Sequence, residues 1–422
     1  MSERPRIIVV GLGYVGLPLA VALARQFDAV GFDIDERRVA ELAEGVDRTN
    51  EVTEEALRAT SLRLTTTPAD CAGADLYIIT VPTPVDDNNR PDLGAVMSAT
   101  AMVAGLIDPA RRPTIVYEST VYPGVTDDLC GPAIERASGL VRGRDFRLGY
   151  SPERINPGDR EHTIDKIIKV IAGEDAEVVE QLAGIYGAVT AGGVFRAASI
   201  KAAEAAKAIE NAQRDINIAF MNEVAQILSH IGVSVWDVLA AARTKWNFLG
   251  FEPGLVGGHC IGVDPYYLSF LAEQVGLDPR VILSGRDIND GMGAWIADTL
   301  HSRRGKAGRA LVLGLTFKEN VPDLRNSRSV DVVRRLKWLG HQVDIADPLA
   351  SSEEVERAYG LSLTDPGEQH YDLVIGAVQH DAYRELGDDQ LAGLIAPGGT
   401  LADLKGMWRG RDLPAGIDRW TL

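Results

Sequence analysis

The hydrophobic pattern of the chain falls into three stretches. From Arg6 onward, short continuous apolar runs alternate with helical ones, which is how strands buried on both faces of a parallel sheet read. Arg6-Ile7-Ile8-Val9-Val10 is the first run, and Leu17 to Gln26 is the helical stretch after it. Ala29-Val30-Gly31-Phe32, Ala74 to Val81, Thr114 to Glu118 and Arg147 to Tyr150 follow as further strands. Ala197 to Ile231 breaks the alternation. It lacks Gly and Pro, is rich in Ala and stops at Gly232, which predicts one helix about 50 Å long. The strand pattern then returns in Arg309 to Gly314, Gly340 to Ala346, Tyr371 to Val378 and Pro397 to Leu404, with a helix from Ser327 to Leu339. The fold class expected is therefore α/β, with two Rossmann-like doubly wound domains joined by a long central helix. Domain bounds are set at 1–196, 197–300 and 301–422.

Chemistry attaches to this pattern at a few places. Gly11-Leu12-Gly13-Tyr14-Val15-Gly16 lies between a strand and a helix, and the second strand ends in Asp33. That is the spacing of a dinucleotide site: glycines admit the pyrophosphate, and the acid meets the adenosine ribose. Asp33 would repel a 2′-phosphate, which favours NAD over NADP, although Arg37 and Arg38 stand nearby. Thr83, Ser119 and Thr120 fall just beyond carboxyl ends of strands, where ligands of open α/β sheets bind. Glu153, in the polar segment Ser151 to Gly158, reads either as a solvated loop acid or as a base at the mouth of a site. On the long helix, Glu204, Lys207, Asn211, Asp215 and Asn222 form a polar stripe, with Lys207 and Asn211 one turn apart. Such a stripe marks a site, a partner or an ordinary exposed face. Lys318 and Arg325, beyond the first strand of the third stretch, would meet phosphates or remain surface charges.

The segment Gly254 to Pro265 concentrates the features of a reactive thiol. Gly257, Gly258 and Gly262 leave Cys260 uncovered, and Asp264-Pro265 reads as an N-cap and first residue of a helix. A helix N-terminus favours a thiolate. The plainer alternative is a small buried Cys in a glycine-rich turn, with Asp264 only a cap.

Composition narrows the function classes. The 422 residues carry 43 basic and 60 acidic side chains, a net charge of −17, which argues against general affinity for nucleic acid or anionic membrane. Three widely spaced cysteines, Cys71, Cys130 and Cys260, form no CxxC pair, so neither a disulfide framework nor a metal site is indicated and a cytoplasmic location is expected. Ile7 to Ala24 is uncharged, but its Gly11, Gly13, Gly16 and Pro18 suit a phosphate-binding turn better than an export signal. The long helix has surface to bury, and a helix-to-helix homodimer is expected.

The motifs GLGYVGLPLA, GFDID, VPTP, ESTVYPG, SPERINPGD, KAIENAQRDINIAFMNE, GLVGGHCIGVDPYYL and TFKENVPDLRNS together resemble the UDP-glucose/GDP-mannose dehydrogenase family over essentially the whole length. TKWNFLGFEPGLVGGHCIGVDPYYL is most similar to the bacterial UDP-N-acetylhexosamine 6-dehydrogenases of polysaccharide pathways. The resemblance implies an NAD-binding first domain, a central helical domain with the catalytic cysteine, and a UDP-sugar-binding third domain. It implies oxidation of a sugar C6 hydroxyl through aldehyde to acid with two NAD+, Cys260 forming a thiohemiacetal and then a thioester. Lys207 and Asn211 match residues that hold the C6 oxygen, and Asp264 the carboxylate that assists proton transfer. Thr120 and Glu153 match residues that position water or act as base. Gly11, Gly13, Tyr14, Val15, Gly16, Asp33, Arg38, Thr83, Ser119, Thr120 and Arg325 match cofactor contacts. Glu153, Arg154, Lys207, Asn211, Gly257 and Lys318 match substrate contacts, as does Arg243 if a one-residue gap is allowed, reaching a neighbouring subunit. In UDP-glucose enzymes a second acid follows the one matching Glu153 by four residues; here that position is Pro157. Alternatives at this stage are UDP-glucose or UDP-N-acetylmannosamine as substrate, a two-electron hydroxyacid dehydrogenase, and a nucleotide-binding sensor without catalysis.

Overall fold

The computed structural model describes residues 4–86, 88–154, 165–258, 261–367 and 369–422. It divides into two compact units, Met1–Glu210 with Tyr266–Leu277, and Asn211–Pro265 with Asp278–Leu422.

The strands of the first unit are buried along nearly their whole length, apart from the two at the edges of the sheet. The strands are β1 (Arg6–Val10), β2 (Asp28–Phe32), β3 (Arg63–Thr65), β4 (Leu76–Ile79), β5 (Thr114–Tyr117), β6 (Arg147–Tyr150), β7 (Lys169–Gly173) and β8 (Val194–Arg196). They form one sheet in the order β3-β2-β1-β4-β5-β6-β7-β8. Successive side chains alternate between two cores. Ile8, Val10, Tyr77 and Ile79 enter one, while Ile7, Val9, Leu76 and Ile78 enter the other, so no face is left polar. Every pairing is parallel except β6 with β7, where Gly149 faces Gly173 and Tyr150 faces Ala172. The short β3 and β8, and β7 with its leading lysine, carry too little apolar pattern to be read from sequence.

The second unit holds β9 (Arg309–Leu313), β10 (Gln342–Ala346), β11 (Tyr371–Gly376), β12 (Ile395–Asp403) and β13 (Asp418–Thr421), all parallel, in the order β10-β9-β11-β12-β13. That is the other common doubly wound order. Both sheets conform to the expected α/β class.

The long helix runs from Ile200 to His230, about 46 Å at the usual rise per residue. Ser199 caps it by accepting from Ala202 N at 3.1 Å, and Gly232 with φ +72° ends it. The second anticipated cap differs by one residue: the helix after the glycine loop spans Asp264–Gln274, so Asp264 is its first helical residue and Pro265 its second.

Candidate active site

The dinucleotide turn is held open from below. Gly11 takes φ +97°, its N–H donates to Phe32 O at 2.8 Å, and Thr80 Oγ1 donates to Val10 O and Gly11 O at 3.0 and 2.8 Å. A Cβ on Gly16 would lie 1.8 Å from Gly11 O, so this glycine is required by packing of the helix against the turn. A Cβ on Gly13 would meet nothing within 4 Å, which leaves its backbone approachable by a ligand. The helix Gly16–Ala24 that follows Tyr14 and Val15 has no side-chain cap; Leu17 N and Leu19 N donate back to Gly13 O and Val15 O at 3.2 and 3.4 Å, and the positive end of the helix dipole lies at the turn. Asp33 accepts from Leu12 N at 2.7 Å and Asp35 N at 2.9 Å, which fixes its carboxylate at the end of β2. These features fit the pyrophosphate and adenosine ribose of NAD. Arg38 is turned inward, its Nε donating to Leu12 O at 3.0 Å and an Nη to Asp47 at 2.7 Å, so it shapes the turn from beneath. Beyond β4 and β5, Thr83 Oγ1 donates to Thr120 O at 2.7 Å, Ser119 Oγ donates to Val81 O at 2.6 Å, and Tyr267 OH donates to Thr83 O.

The second unit repeats this framework and then closes it. Gly314 has φ +100° and donates to Ala346 O at 2.8 Å; Leu315 N donates to Asp347 Oδ2 at 2.6 Å. The same oxygen also accepts from Thr316 N at 2.9 Å and faces His380 Nε2 at 3.2 Å. Burial would raise the Asp347 pKa, but His380 and the two backbone N–H groups outweigh it and hold it at about 2. Asp347 is thus fully engaged, and the turn lacks the further glycines of the first one.

Glu153 corrects the solvated-loop reading. It is buried, with Oε1 accepting from Arg154 N at 2.6 Å and Oε2 3.0 Å from Lys169 Nζ. The same ammonium lies 2.7 Å from Glu118 Oε2, and Tyr186 OH donates to the other Glu118 oxygen. Burial pushes the Glu118 pKa up, with Lys169 opposing and Glu153 reinforcing the rise. Burial would lower Lys169, but the two carboxylates raise it. Sequence reasoning missed Lys169, Glu118 and Tyr186; a lysine opening the apolar run Lys169-Val170-Ile171-Ala172 was the available signal. Arg154 extends outward to Glu210 at 2.8 Å.

The polar stripe of the long helix is buried, not an exposed face. Glu204 accepts from Gly124 N and Thr126 N at 2.6 and 3.0 Å, and burial lifts its pKa to about 7 against those donors. Asn211 Nδ2 donates to Asp264, which is itself buried. Asp215 accepts from Arg286 at 2.5 Å and Asn289 at 2.8 Å, and Asn222 exchanges hydrogen bonds with the backbone of Gly254 at 3.0 and 2.8 Å. Lys207, 8% exposed, differs from the rest: among the described residues it has neither a hydrogen-bond nor an ion-pair partner.

A cavity of about 260 Å³ in the second unit is lined by Gly254 to Gly257, Phe317, Lys318, Ser327 and Lys405 among others. A Cβ on Gly257 would sit 2.5 Å from Asn326 O, and one on Gly258 (φ +86°) 2.8 Å from the Phe317 ring, so the glycine loop packs directly on the loop after β9. A larger groove of about 970 Å³ beside Asp347, Thr364, His370 and Tyr383 contains no anticipated site residue. Arg325 is held by Asp323 at 2.7 Å in the second unit, and Arg243 pairs with Glu252. Cys260 lies outside the described residues. Cys71 and Cys130 are buried, and burial lifts each thiol to about 11, so neither supplies a thiolate near neutrality. Among the described residues there is no group of His, Cys, Asp and Glu able to hold a metal, and no helix long and apolar enough to cross a membrane.

Family models for UDP-glucose/GDP-mannose dehydrogenase match in three parts: the NAD binding domain at residues 5–190, the central domain at 201–291 and the UDP binding domain at 311–410. Among curated relatives, Protein CapL of Staphylococcus aureus is 48% identical over 423 residues, covering 99% of each chain. UDP-N-acetyl-D-glucosamine 6-dehydrogenase of Pseudomonas aeruginosa is 46% identical over 408 residues, covering 95% of this chain and 96% of that one. The solved structure of UDP-D-ManNAc dehydrogenase from Pyrococcus horikoshii matches with a TM-score of 0.87 at 27% identity, covering 99% of this chain and 98% of that one. The cofactor is NAD, and the substrate class is a UDP-sugar. With matches in all three parts of its length, the chain belongs to the UDP-glucose/GDP-mannose dehydrogenase family of oxidoreductases.

Proposed function

We propose that the protein oxidises the C6 hydroxyl of a UDP-N-acetylhexosamine to the carboxylate in two successive two-electron steps. The observation that carries the reading is Lys207: a nearly buried ammonium with no anion beside it among the described residues, on a helix face where every other polar group is engaged. An unpaired buried cation is costly, and an oxyanion would supply the missing partner. Asn211, one turn on, adds an amide donor held by Asp264.

NAD+, held at the glycine turn of the first unit, would supply the hydride acceptor for each oxidation. Lys207 and Asn211 hold the C6 oxygen as its proton leaves and charge develops. The Cys260 thiolate adds to the aldehyde carbon, giving a thiohemiacetal whose oxidation leaves a thioester. Glu153, with Thr120, directs water to the thioester carbon and takes its proton. The carbon–sulfur bond breaks, the sugar leaves as a carboxylate and the thiol returns, with Asp264 assisting proton movement. Covalent capture keeps the reactive aldehyde from escaping between the two steps. In the second unit, Lys318, Gly257 and Arg243 are assigned to the nucleotide sugar. Arg325 and the residues of the glycine turn, with Thr83 and Ser119, are assigned to the cofactor, while the buried Arg38 supports that turn from beneath instead of touching the cofactor.

An N-acetyl substrate is supported by the Pseudomonas aeruginosa relative and by Pro157, which removes the second acid of UDP-glucose enzymes. A homodimer is supported by Ile209, Phe220 and Ile227, all more than half exposed along one face of the long helix. A reducing, cytoplasmic setting suits the thiolate chemistry.

Wild-type enzyme should release two NADH per sugar, and Cys260→Ser should bind NAD yet lose net acid formation. One NADH per sugar, or a serine variant with near-normal acid yield, sinks the thioester route. NAD+ should far exceed NADP+ in kcat/KM, with Asp33→Ala narrowing the gap; equal use of both by the wild type removes Asp33 from the ribose. Light scattering at micromolar concentration should give about twice 45.5 kDa, and Phe220→Glu with Ile227→Glu should halve it. An unmodified chain that runs as an active monomer contradicts the dimer. Across UDP-glucose and the three UDP-N-acetylhexosamines, UDP-N-acetylglucosamine or UDP-N-acetylgalactosamine should lead UDP-glucose by about 10-fold or more in kcat/KM. That is the scale of one unmatched buried hydrogen bond. A lead for UDP-glucose overturns the substrate assignment.

A further inference from the structure

Lys169 is completely buried at the start of β7, yet nothing in the proposed chemistry uses it directly. Its place follows from the one reversal in the first sheet. Because β7 runs antiparallel to β6, with Tyr150 facing Ala172, the register continued past the strand ends sets Lys169 opposite Glu153. A parallel strand would have placed its first residue at the other end of the sheet. The ammonium then lies 3.0 Å from Glu153 and 2.7 Å from Glu118, which follows β5 directly. Tyr186, from the helix Ala176–Gly187, closes the cluster through its hydroxyl on Glu118, with Lys169 Nζ 5.3 Å from its ring centre.

We propose that Lys169 and Glu118 are positioning residues for Glu153, the ammonium fixing the orientation and charge of that carboxylate and Glu118 setting how much of the ammonium it receives. This rests on the reading of Glu153 as the group that directs water to the thioester. One buried cation shared by two buried carboxylates, one of which burial pushes towards its protonated form, couples the charge of each acid to that of the other. Such coupling is an effective device for tuning a base. The second carboxylate competes for the cation and repels the first, so the two partners act on Glu153 in opposite directions. Tyr186 and Arg154 also meet the cluster, the latter offering Glu153 its backbone N–H while its side chain pairs with Glu210.

The test is kcat against pH at saturating NAD+ and UDP-sugar for wild type, Glu153→Gln, Lys169→Met, Lys169→Arg and Glu118→Gln. Glu153→Gln should abolish the acid limb together with most of the rate. Lys169→Met should move that limb upward by about 1–3 pH units, since an ionised base now lacks its counter-charge. Glu118→Gln should move it downward, and Lys169→Arg should keep it near the wild-type position. If Lys169→Met fails to fold by circular dichroism, the downward shift in Glu118→Gln and the retained limb in Lys169→Arg decide the matter. Loss of rate in Glu153→Gln with an unmoved limb in the folded variants, or shifts of the same sign, overturns the positioning role alone. Full rate in Glu153→Gln overturns the reading of Glu153 and this proposal with it.

Discussion

A helix that buries polar side chains has to find a partner for each, because an unmet buried group costs about 1–3 kcal/mol. The helix Ile200–His230 meets that demand almost completely. Glu204 takes the N–H groups of the loop at Gly124, Asp215 takes Arg286 and Asn289, and Asn222 takes the backbone of Gly254. Asn211 engages Asp264 at the start of the helix that follows the glycine loop. Each contact uses helix polarity to fix a neighbouring segment of the same unit. Lys207 stands apart from that pattern, and its lack of a described partner is what makes it chemically informative.

The two sheets show how one local design serves different ends. A glycine with positive φ, a backbone hydrogen bond to the second strand and an Asp accepting from the next N–H recur at Gly11–Asp33 and Gly314–Asp347. In the first case the helix begins within the turn, with no side-chain cap and with Gly13 open. In the second, Thr316 and His380 fill the carboxylate's remaining capacity. The difference between a cofactor turn and a closed turn lies in what surrounds the Asp, since both copies possess one.

The buried acids of the first unit illustrate a second constraint. Glu118 and Glu153 arrive on segments far apart in sequence, and both meet the ammonium of Lys169. The reversal between β6 and β7 delivers that lysine. A change of strand direction therefore becomes an electrostatic fact about one carboxylate.

Periodicity and turn chemistry determined much of this protein unaided. Continuous apolar runs announced strands buried on both faces, the glycine spacing with Asp33 announced the dinucleotide turn, and a stretch without Gly or Pro announced the long helix. These are local signals, carried by neighbours in the chain. Glu153, Lys169 and the polar stripe were a different matter. Glu153 looked like a solvated acid, Lys169 stood as a charged residue at the head of a short apolar run, and the stripe could have faced water. Tertiary structure alone decided that all were buried and with whom they paired, because burial and pairing depend on segments dozens of residues away. A side chain's type shows what chemistry it can perform; its partners, brought by the fold, decide whether it is free to perform it.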